Sequence, residues 1–376
     1  MNLFDLHIEA GLERAAKIGS KFAPAWEGLP PADAAAFANY FLPHKSAKNL
    51  LSPTRPRVIK WYCPFANQRD FPTGIRYCIN LYSGCSHDCV YCYAAGYSPE
   101  NAACKRDFEK MLARDLADME KFNTPPAAVH LSNSTDPFQP LELQAGHTKL
   151  ALQKLLEHRK RFSSIVLLTK NPAIAANDDY IKLLLELNSL SKQHPCYEKF
   201  KQANLPGVRV EISLAFLDDP ARKFFDPAAP TVANRLEAIA KLRAAGVPVV
   251  LRIDPLLPRA PLPGSLSHRD FSLPAAQSLQ NLNALVKFAA DQGIMQIVYS
   301  VAKIPQPRYR KMPGKMQNLK QLYEYLASPQ KLIYRGGSYR LPHQVLMQHV
   351  VEPFLEITRQ HNMPTFFCKD NLLSTP

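Results

Sequence analysis

The sequence predicts an α/β protein built on a parallel sheet, either doubly wound or curled into a partial barrel. Three observations lead there. Six short apolar runs recur from residue 76 onward, amphipathic stretches separate them, and polar loops follow their C-terminal ends. Runs joined by helix-length connections pair in parallel, because a tight turn joins only antiparallel neighbours.

Taken along the chain, the first 42 residues predict two short helices. MNLFDLHIEAGLERAAKIGSKF is amphipathic, and a second helix opens at PPADAAAFANYF. A connector containing Pro, Lys and Arg follows, from about 43 to 60. Strands are expected at 77–82, 128–132, 165–169, 208–215, 247–253 and 294–301, with helices near 105–122, 141–159, 177–190, 231–245 and 273–292. The stretch PLLPRAPLPGS, within 255–272, is too rich in proline for either element and reads as a loop. After Val301 the alternation gives way to a basic segment, a helix near 344–360 and a last strand at 365–368. The organisation expected is an N-terminal extension over 1–60, a core over 61–301 and a basic C-terminal extension over 302–376.

With 376 residues, 46% of them hydrophobic, the chain can bury a large core without disulfide staples. No run approaches the ~20 apolar residues of a membrane span, and the opening segment lacks the apolar centre of a secretory signal. The expectation is a cytoplasmic protein without a membrane partner, whose thiols stay reduced. The formal charge of +14 is concentrated. Nine Lys or Arg stand against one acid, Glu324, between Lys303 and Arg340, leaving +8 there, interleaved with Tyr309, Tyr323, Tyr325, Tyr334 and Tyr339. Cations for phosphates and flat rings for bases are the ingredients of a nucleic-acid surface; a solvated basic face is the plainer alternative. Arg308, Arg310, Lys311, Tyr334, Arg335, Tyr339 and Arg340 are the candidate contacts. Within this segment KLIYRGGSYRL predicts a hairpin with a Gly-Gly turn.

Polar groups follow several strands: Asn133-Ser134-Thr135-Asp136 the second, Lys170-Asn171-Pro172 the third and Asp254-Pro255 the fifth. In a parallel layout those loops share one rim, where ligands bind. The loop after the first strand reads GCSHDCVYCYAA, with Cys85, Cys89 and Cys92 at C-x3-C-x2-C spacing. An odd number of thiols in a reducing compartment argues against a disulfide framework. Zinc would need a fourth ligand, for which His87, Cys78 and Cys104 are candidates, although His87 reads more simply as an exposed loop residue. An iron–sulfur cluster with three cysteines leaves one iron open to bind something.

The spacing, with an aromatic before the last cysteine, resembles the signature of radical S-adenosylmethionine (SAM) enzymes. GCSHDCVYCYA, STDPFQPLE, LLTKNP, EISLA and NRLEAIAKLRAAGVPVVLRIDPLLP are similar to successive blocks of the spore-photoproduct-lyase-like branch, over about residues 76–260. The resemblance implies a partial (β/α)6 barrel with terminal extensions, a [4Fe–4S] cluster on Cys85, Cys89 and Cys92, and SAM chelating the fourth iron. It also implies a reductant such as flavodoxin or ferredoxin, and the chain is expected to act as a monomer. Tyr91 is then a flat apolar wall for the adenine side of SAM and Lys170 a point charge for its carboxylate. Ser134, Thr135 and Ser213 are hydrogen-bonding groups for ribose or methionine, and Asp136 is a further acceptor. Arg252 and Asp254 either face the substrate or pair with each other.

The family pattern is broken at one point. Characterised spore photoproduct lyases carry a cysteine at the end of the second strand that returns hydrogen to the product radical; here Asn133 or Ser134 stands there. An O–H bond is too strong to replace that thiol. Tyr93, just after the last cluster cysteine, and Cys368, at the end of the last strand, are the candidate hydrogen donors. Cys63, Cys78, Cys104 and Cys196 remain as further thiols. Three functions compete: a radical SAM enzyme repairing, modifying or rearranging a nucleic-acid base (DNA before RNA), one acting on a peptide or small metabolite, and a non-catalytic metal-binding module.

Overall fold

The computed structural model describes residues 57–60, 76–121 apart from 97 and 100, 124, 126–306, and 312–368 apart from 336. The two helices expected over the first 42 residues lie outside these, as do Cys63, Arg308, Arg310 and Lys311.

Among the described residues the main sheet has eight strands. They are β1 (Ile59–Lys60), β2 (Arg76–Ile79), β3 (Ala127–Leu131), β4 (Phe162–Thr169), β5 (Val208–Ser213), β6 (Val249–Leu256), β7 (Ile297–Val301) and β8 (Thr365–Phe367). Their spatial order is their chain order. β1 runs antiparallel to β2, and every later pairing is parallel. That order decides between the two architectures the sequence allows. Right-handed crossovers between successive neighbours put every helix on the same face, whereas a doubly wound sheet needs its order to reverse. The sheet is an open, barrel-like half-shell whose two end strands do not pair with each other.

The helices on the outer face are α1 (Phe108–Lys121), α2 (His147–Glu157), α3 (Asp178–Asn188), α4 (Val232–Ala244) and α5 (Leu279–Asp291). One set of alternate strand residues, including Ile79, Val129, Leu167, Val210, Leu251 and Ile297, is fully buried in the core with Leu116, Leu155, Leu184, Ile239 and Leu285 from those helices. The other set carries buried polar groups among small and apolar residues: Arg76, His130, Ser164, Glu211, Ser213 and Arg252. Strand periodicity thus divides an apolar outer face from an inner one that carries these groups.

The departures from the expected elements have local causes. The helix expected over 141–159 is interrupted at Gly146, whose φ of +62° no helix tolerates. The buried Glu142 carboxylate accepts the amide N–H groups of Thr148 (2.8 Å) and Lys149 (3.0 Å), so it caps the second piece. β6 continues through Pro255 to Leu256, and its register with β7 shifts between Ile253 and Leu256, where proline cannot donate to the ladder. In the basic segment the structure adds α6 (Gly314–Ala327), with Met316, Leu319, Leu322, Tyr323 and Leu326 buried on one face. That apolar spacing is helical, but charge counting obscures it. The predicted hairpin is present: Ile333–Arg335 pairs antiparallel with Ser338–Arg340, which also pairs with Ile304–Pro305. Two strands from the described parts of the terminal segments join the main sheet. β1 is an edge strand tied to α1 by Asp115, which accepts from the Val58 (2.6 Å) and Ile59 (3.0 Å) amides, and β8 lies beside β7. Among the described residues no helix is long and apolar enough to cross a membrane.

Candidate active site

The cysteine loop leaves β2 through a short strand, Tyr82–Ser83, paired with Ala103–Cys104. Gly84 then turns the chain at φ +71°, and a Cβ there would lie 2.3 Å from the Asn101 carbonyl oxygen. Only glycine fits. Gly84→Ala is expected to lose on the order of 1–2 kcal/mol from the left-handed backbone alone, with the clash added. A lowered thermal-unfolding midpoint for G84A would show it, and an unchanged midpoint would contradict it.

The loop is held from two sides. From the rim after β3, Gln139 accepts the Ser86 amide (3.1 Å), and Asp136 meets His87 Nε2 (3.1 Å). From the segment after β5, the Phe225 carbonyl accepts the Val90 amide (2.9 Å), and the Ala228 carbonyl lies 3.4 Å from His87 Nδ1. His87, expected to be exposed, is 1% exposed. With both ring nitrogens engaged it is an anchor of the loop and not a fourth zinc ligand.

Cys85, Cys89 and Cys92 are half-buried and close enough to influence one another's ionisation. Burial, and then the Asp136 charge, pushes the Cys85 thiol up to about 12. Burial and the Asp226 charge raise Cys89 as well. As bare thiols they resist ionising; a bound cation would supply the missing positive charge.

Asp136 is a hub. It accepts from the Phe138 amide (2.8 Å), Thr169 Oγ1 (2.7 Å) and the Lys170 amide (2.7 Å) in addition to His87. Burial would raise its pKa, but the His87 contact and these donors hold it below the usual carboxylate range. With its acceptors engaged, Asp136 joins the cysteine loop to the end of β4. Beside it the Thr135 hydroxyl is buried with no hydrogen-bond partner, and the Ser134 amide donates to Asn80 Oδ1 (3.3 Å).

Lys170 Nζ donates to Tyr91 Oη (2.7 Å) and Ser213 Oγ (2.9 Å) and lies 3.4 Å from Asp226. Tyr91 donates its phenol to Asp226. The Tyr91 hydroxyl thus belongs to an ion network, because a phenol buried beside a carboxylate must be paired. Ser213 is half of that network too, and it donates to the Asp254 carbonyl (3.2 Å). Sequence reading missed Asp226; it lies in a plain FFDPAAP run that no spacing rule singles out.

On the inner face Arg252 pairs with Glu211 (2.6 Å) and Asp254 (2.8 Å), and Glu211 with Arg209 (2.8 Å). Of the two expectations for Arg252 and Asp254, mutual pairing is the one realised. Ser300 donates to Asp254, and Cys368, whose amide donates to the Tyr299 carbonyl (2.6 Å), is close enough to Arg252 for their charges to interact. Cys368 therefore stands at the far end of the same polar face. Tyr93 is 41% exposed and donates its phenol to the Asn133 carbonyl. The Asn133 amide donates to Cys78 Sγ (3.3 Å), so a thiol does lie beside Asn133, contributed by the neighbouring strand.

Of the basic surface, Tyr334 and Arg335 are exposed, Tyr339 and Arg340 half-buried. Tyr334 and Tyr339 rings are 5.0 Å apart, with Lys320 Nζ 4.8 Å from the Tyr339 ring. The strand Ile304–Pro305, which carries this hairpin, packs on the Tyr93–Gly96 turn directly after the cysteine loop.

Three thiols stand at the rim of a half-shell of parallel strands, beside an inner face that carries buried polar groups. Residues 79–259, just under half of the chain, match the model of the radical SAM superfamily, whose members use a [4Fe–4S] cluster and SAM. Curated relatives include an uncharacterized protein of Mycobacterium tuberculosis (strain ATCC 25618 / H37Rv), 28% identical over 192 residues, 49% of this chain and 50% of the relative. Another, from Methanocaldococcus jannaschii, is 22% identical over 185 residues, 49% of this chain and 62% of the relative. The chain thus spans about half the length of the mycobacterial protein and somewhat more of the archaeal one. Among solved structures, a cysteine-to-serine mutant of spore photoproduct lyase matches with a TM-score of 0.52 and 12% identity, covering 90% of this chain and 84% of that one. The lyase complexed with dinucleoside spore photoproduct matches with a TM-score of 0.52 and 14% identity, covering 85% and 81%. The fold is shared with that lyase.

Proposed function

We propose that this protein is a radical SAM enzyme that repairs, modifies or rearranges a nucleic-acid base, DNA before RNA, with its radical chemistry started at a cluster held by Cys85, Cys89 and Cys92. When bound, the cluster and SAM supply a 5′-deoxyadenosyl radical that takes hydrogen from an unreactive C–H bond. The donor set fits them. Three thiols would hold three irons and leave the fourth open, and ligands that each take a separate iron need not close on one point. Among the described residues no three His, Cys, Asp or Glu form a single-ion site. The partnerless Thr135 hydroxyl offers a hydrogen bond to the methionine or ribose of SAM, with Ser134 beside it. Lys170 and Ser213 present a cation and a hydroxyl at the neighbouring strand ends. Asp136 orients this rim through its contacts with Lys170 and His87.

The observation that carries the substrate reading is the contact between the basic, tyrosine-bearing hairpin sheet and the Tyr93–Gly96 turn. A groove-tracking cation surface lies next to the reactive loop, with Tyr334 and Arg335 exposed for stacking and phosphate contact. Arg308, Arg310 and Lys311 continue that charge in sequence, and residues 302–376 act as the substrate-binding extension. That the related fold has been solved with a dinucleoside lesion supports the same class. Because the second-strand thiol is absent, Tyr93 and Cys368 are the hydrogen-returning groups we assign. Electrons come from a flavodoxin- or ferredoxin-type reductant, and the chain acts as a monomer.

The test is anaerobic reconstitution and reduction with SAM, followed by assay of 5′-deoxyadenosine with DNA, RNA and mixed nucleosides. Nucleic acid is expected to bind at low salt and weaken steeply as salt rises. Tyr334→Ala with Arg335→Ala is expected to lower affinity roughly tenfold, the scale of one lost stacking contact. No binding at low salt, with SAM cleavage intact, would turn the reading toward a peptide or small metabolite.

A further inference from the structure

Asp226 is fully buried and no motif includes it, yet it holds the cysteine loop at Tyr91, between two of the three thiols. Its carboxylate takes the Tyr91 phenol, has Lys170 Nζ at 3.4 Å and the fully buried Arg235 Nη1 at 3.7 Å, and lies close enough to Cys89 for their charges to interact. Arg235 also donates from Nε to the Pro230 carbonyl (3.1 Å) and from the same Nη1 to the Ser213 carbonyl (3.1 Å), which tethers it in place. The carboxylate is therefore fixed in direction beside the cysteine loop.

We propose that Asp226 is a positioning residue that holds the stretch between Cys89 and Cys92 through Tyr91 and, through its charge, lowers the reduction potential of the cluster, with Lys170 opposing it. This rests on the assignment of Cys89 as a cluster ligand. A fixed charge in surroundings that exclude water acts far more strongly than one at the surface. Potentials of iron–sulfur clusters respond to nearby charge and to hydrogen bonds on the sulfurs. An anion beside a ligand sulfur opposes arrival of an electron; a cation favours it. The two groups stand together, so their removal has opposite signs.

The experiment is a potentiometric titration of the reconstituted, SAM-free cluster in wild type, Asp226→Asn and Lys170→Gln, followed by electron paramagnetic resonance and normalised to iron content. The expected result is a midpoint shifted to more positive potential in D226N and to more negative potential in K170Q. A purely structural role for Asp226 gives no such sign relation. Unchanged midpoints at wild-type iron content, or shifts in the same direction, overturn the proposal. If D226N takes up no iron, K170Q decides alone: a negative shift supports the charge network and an unshifted midpoint refutes it. A wild-type protein that binds no cluster sinks the ligand assignment itself, and with it this inference.

Discussion

Replacing any one of Cys85, Cys89 and Cys92 with alanine is expected to abolish stable cluster binding and reductive SAM cleavage, while the fold survives. The thiols sit on a loop outside the apolar core, whose strands and helices are packed on the other face of the sheet. The loop keeps its anchors when a side chain is removed, because those anchors are Gln139, Asp136 and the Phe225 and Ala228 carbonyls. Three ligands would hold three of the four irons, so two would leave a second iron unheld and the cluster labile. The measurements are iron and sulfide per chain, absorbance near 400 nm, and 5′-deoxyadenosine after reduction. Thermal unfolding of the apoproteins serves as the control. A single variant that keeps wild-type iron and cleavage would remove that cysteine from the ligand set.

The largest effect on stability is expected at Glu211. Its carboxylate sits between the Arg209 (2.8 Å) and Arg252 (2.6 Å) guanidiniums on a face that excludes water. Burial alone would raise its pKa, but the two cations overcome this and hold it at about 2, against an ordinary value of 4.5. Glu211→Gln removes the anion the two guanidiniums share and leaves Arg252 with Asp254 alone, which costs about 3 kcal/mol, or a fall in melting temperature of about 4 °C. The pH dependence has a definite sign. A depressed folded-state value means the stabilisation is complete above about pH 4.5 and lost as pH falls toward 2. Wild-type melting temperature is therefore expected to fall through that window more steeply than that of E211Q. Parallel curves, or a variant as stable as wild type at pH 7, would contradict the assignment.

Much of the core was legible because strand and helix periodicities are local. The strands from Ala127–Leu131 to Ile297–Val301 fall close to their expected places, and the Gly-Gly hairpin is where its turn chemistry puts it. Boundaries slipped where a single residue overrides the period, as at Gly146 and Pro255. Site residues divide in the same way. Asp136 and Lys170 are recognisable at strand ends, but their partners are not. His87 looked exposed because it sits in a polar loop, yet contacts across 49 and 141 residues of chain bury it. Asp226 meets Tyr91 across 135 residues, and no window of sequence contains both.

By itself, then, the sequence determined the kind of chemistry: the spacing of three thiols after a first strand, the polar strand ends, and the basic tyrosine-bearing segment are all written within short windows. Tertiary structure alone decided three things. It set the helices that connect the strands on one face, since that depends on strand order. It set the hairpin against the turn after the cysteines, which lie over two hundred residues away in the chain. It also chose which buried charges face which, joining Cys89, Tyr91, Lys170 and Arg235 around Asp226. The physical reason is common to all three. A buried charge must find its counter-charge wherever the fold brings one within a few ångströms, and distance along the chain does not tell which that will be.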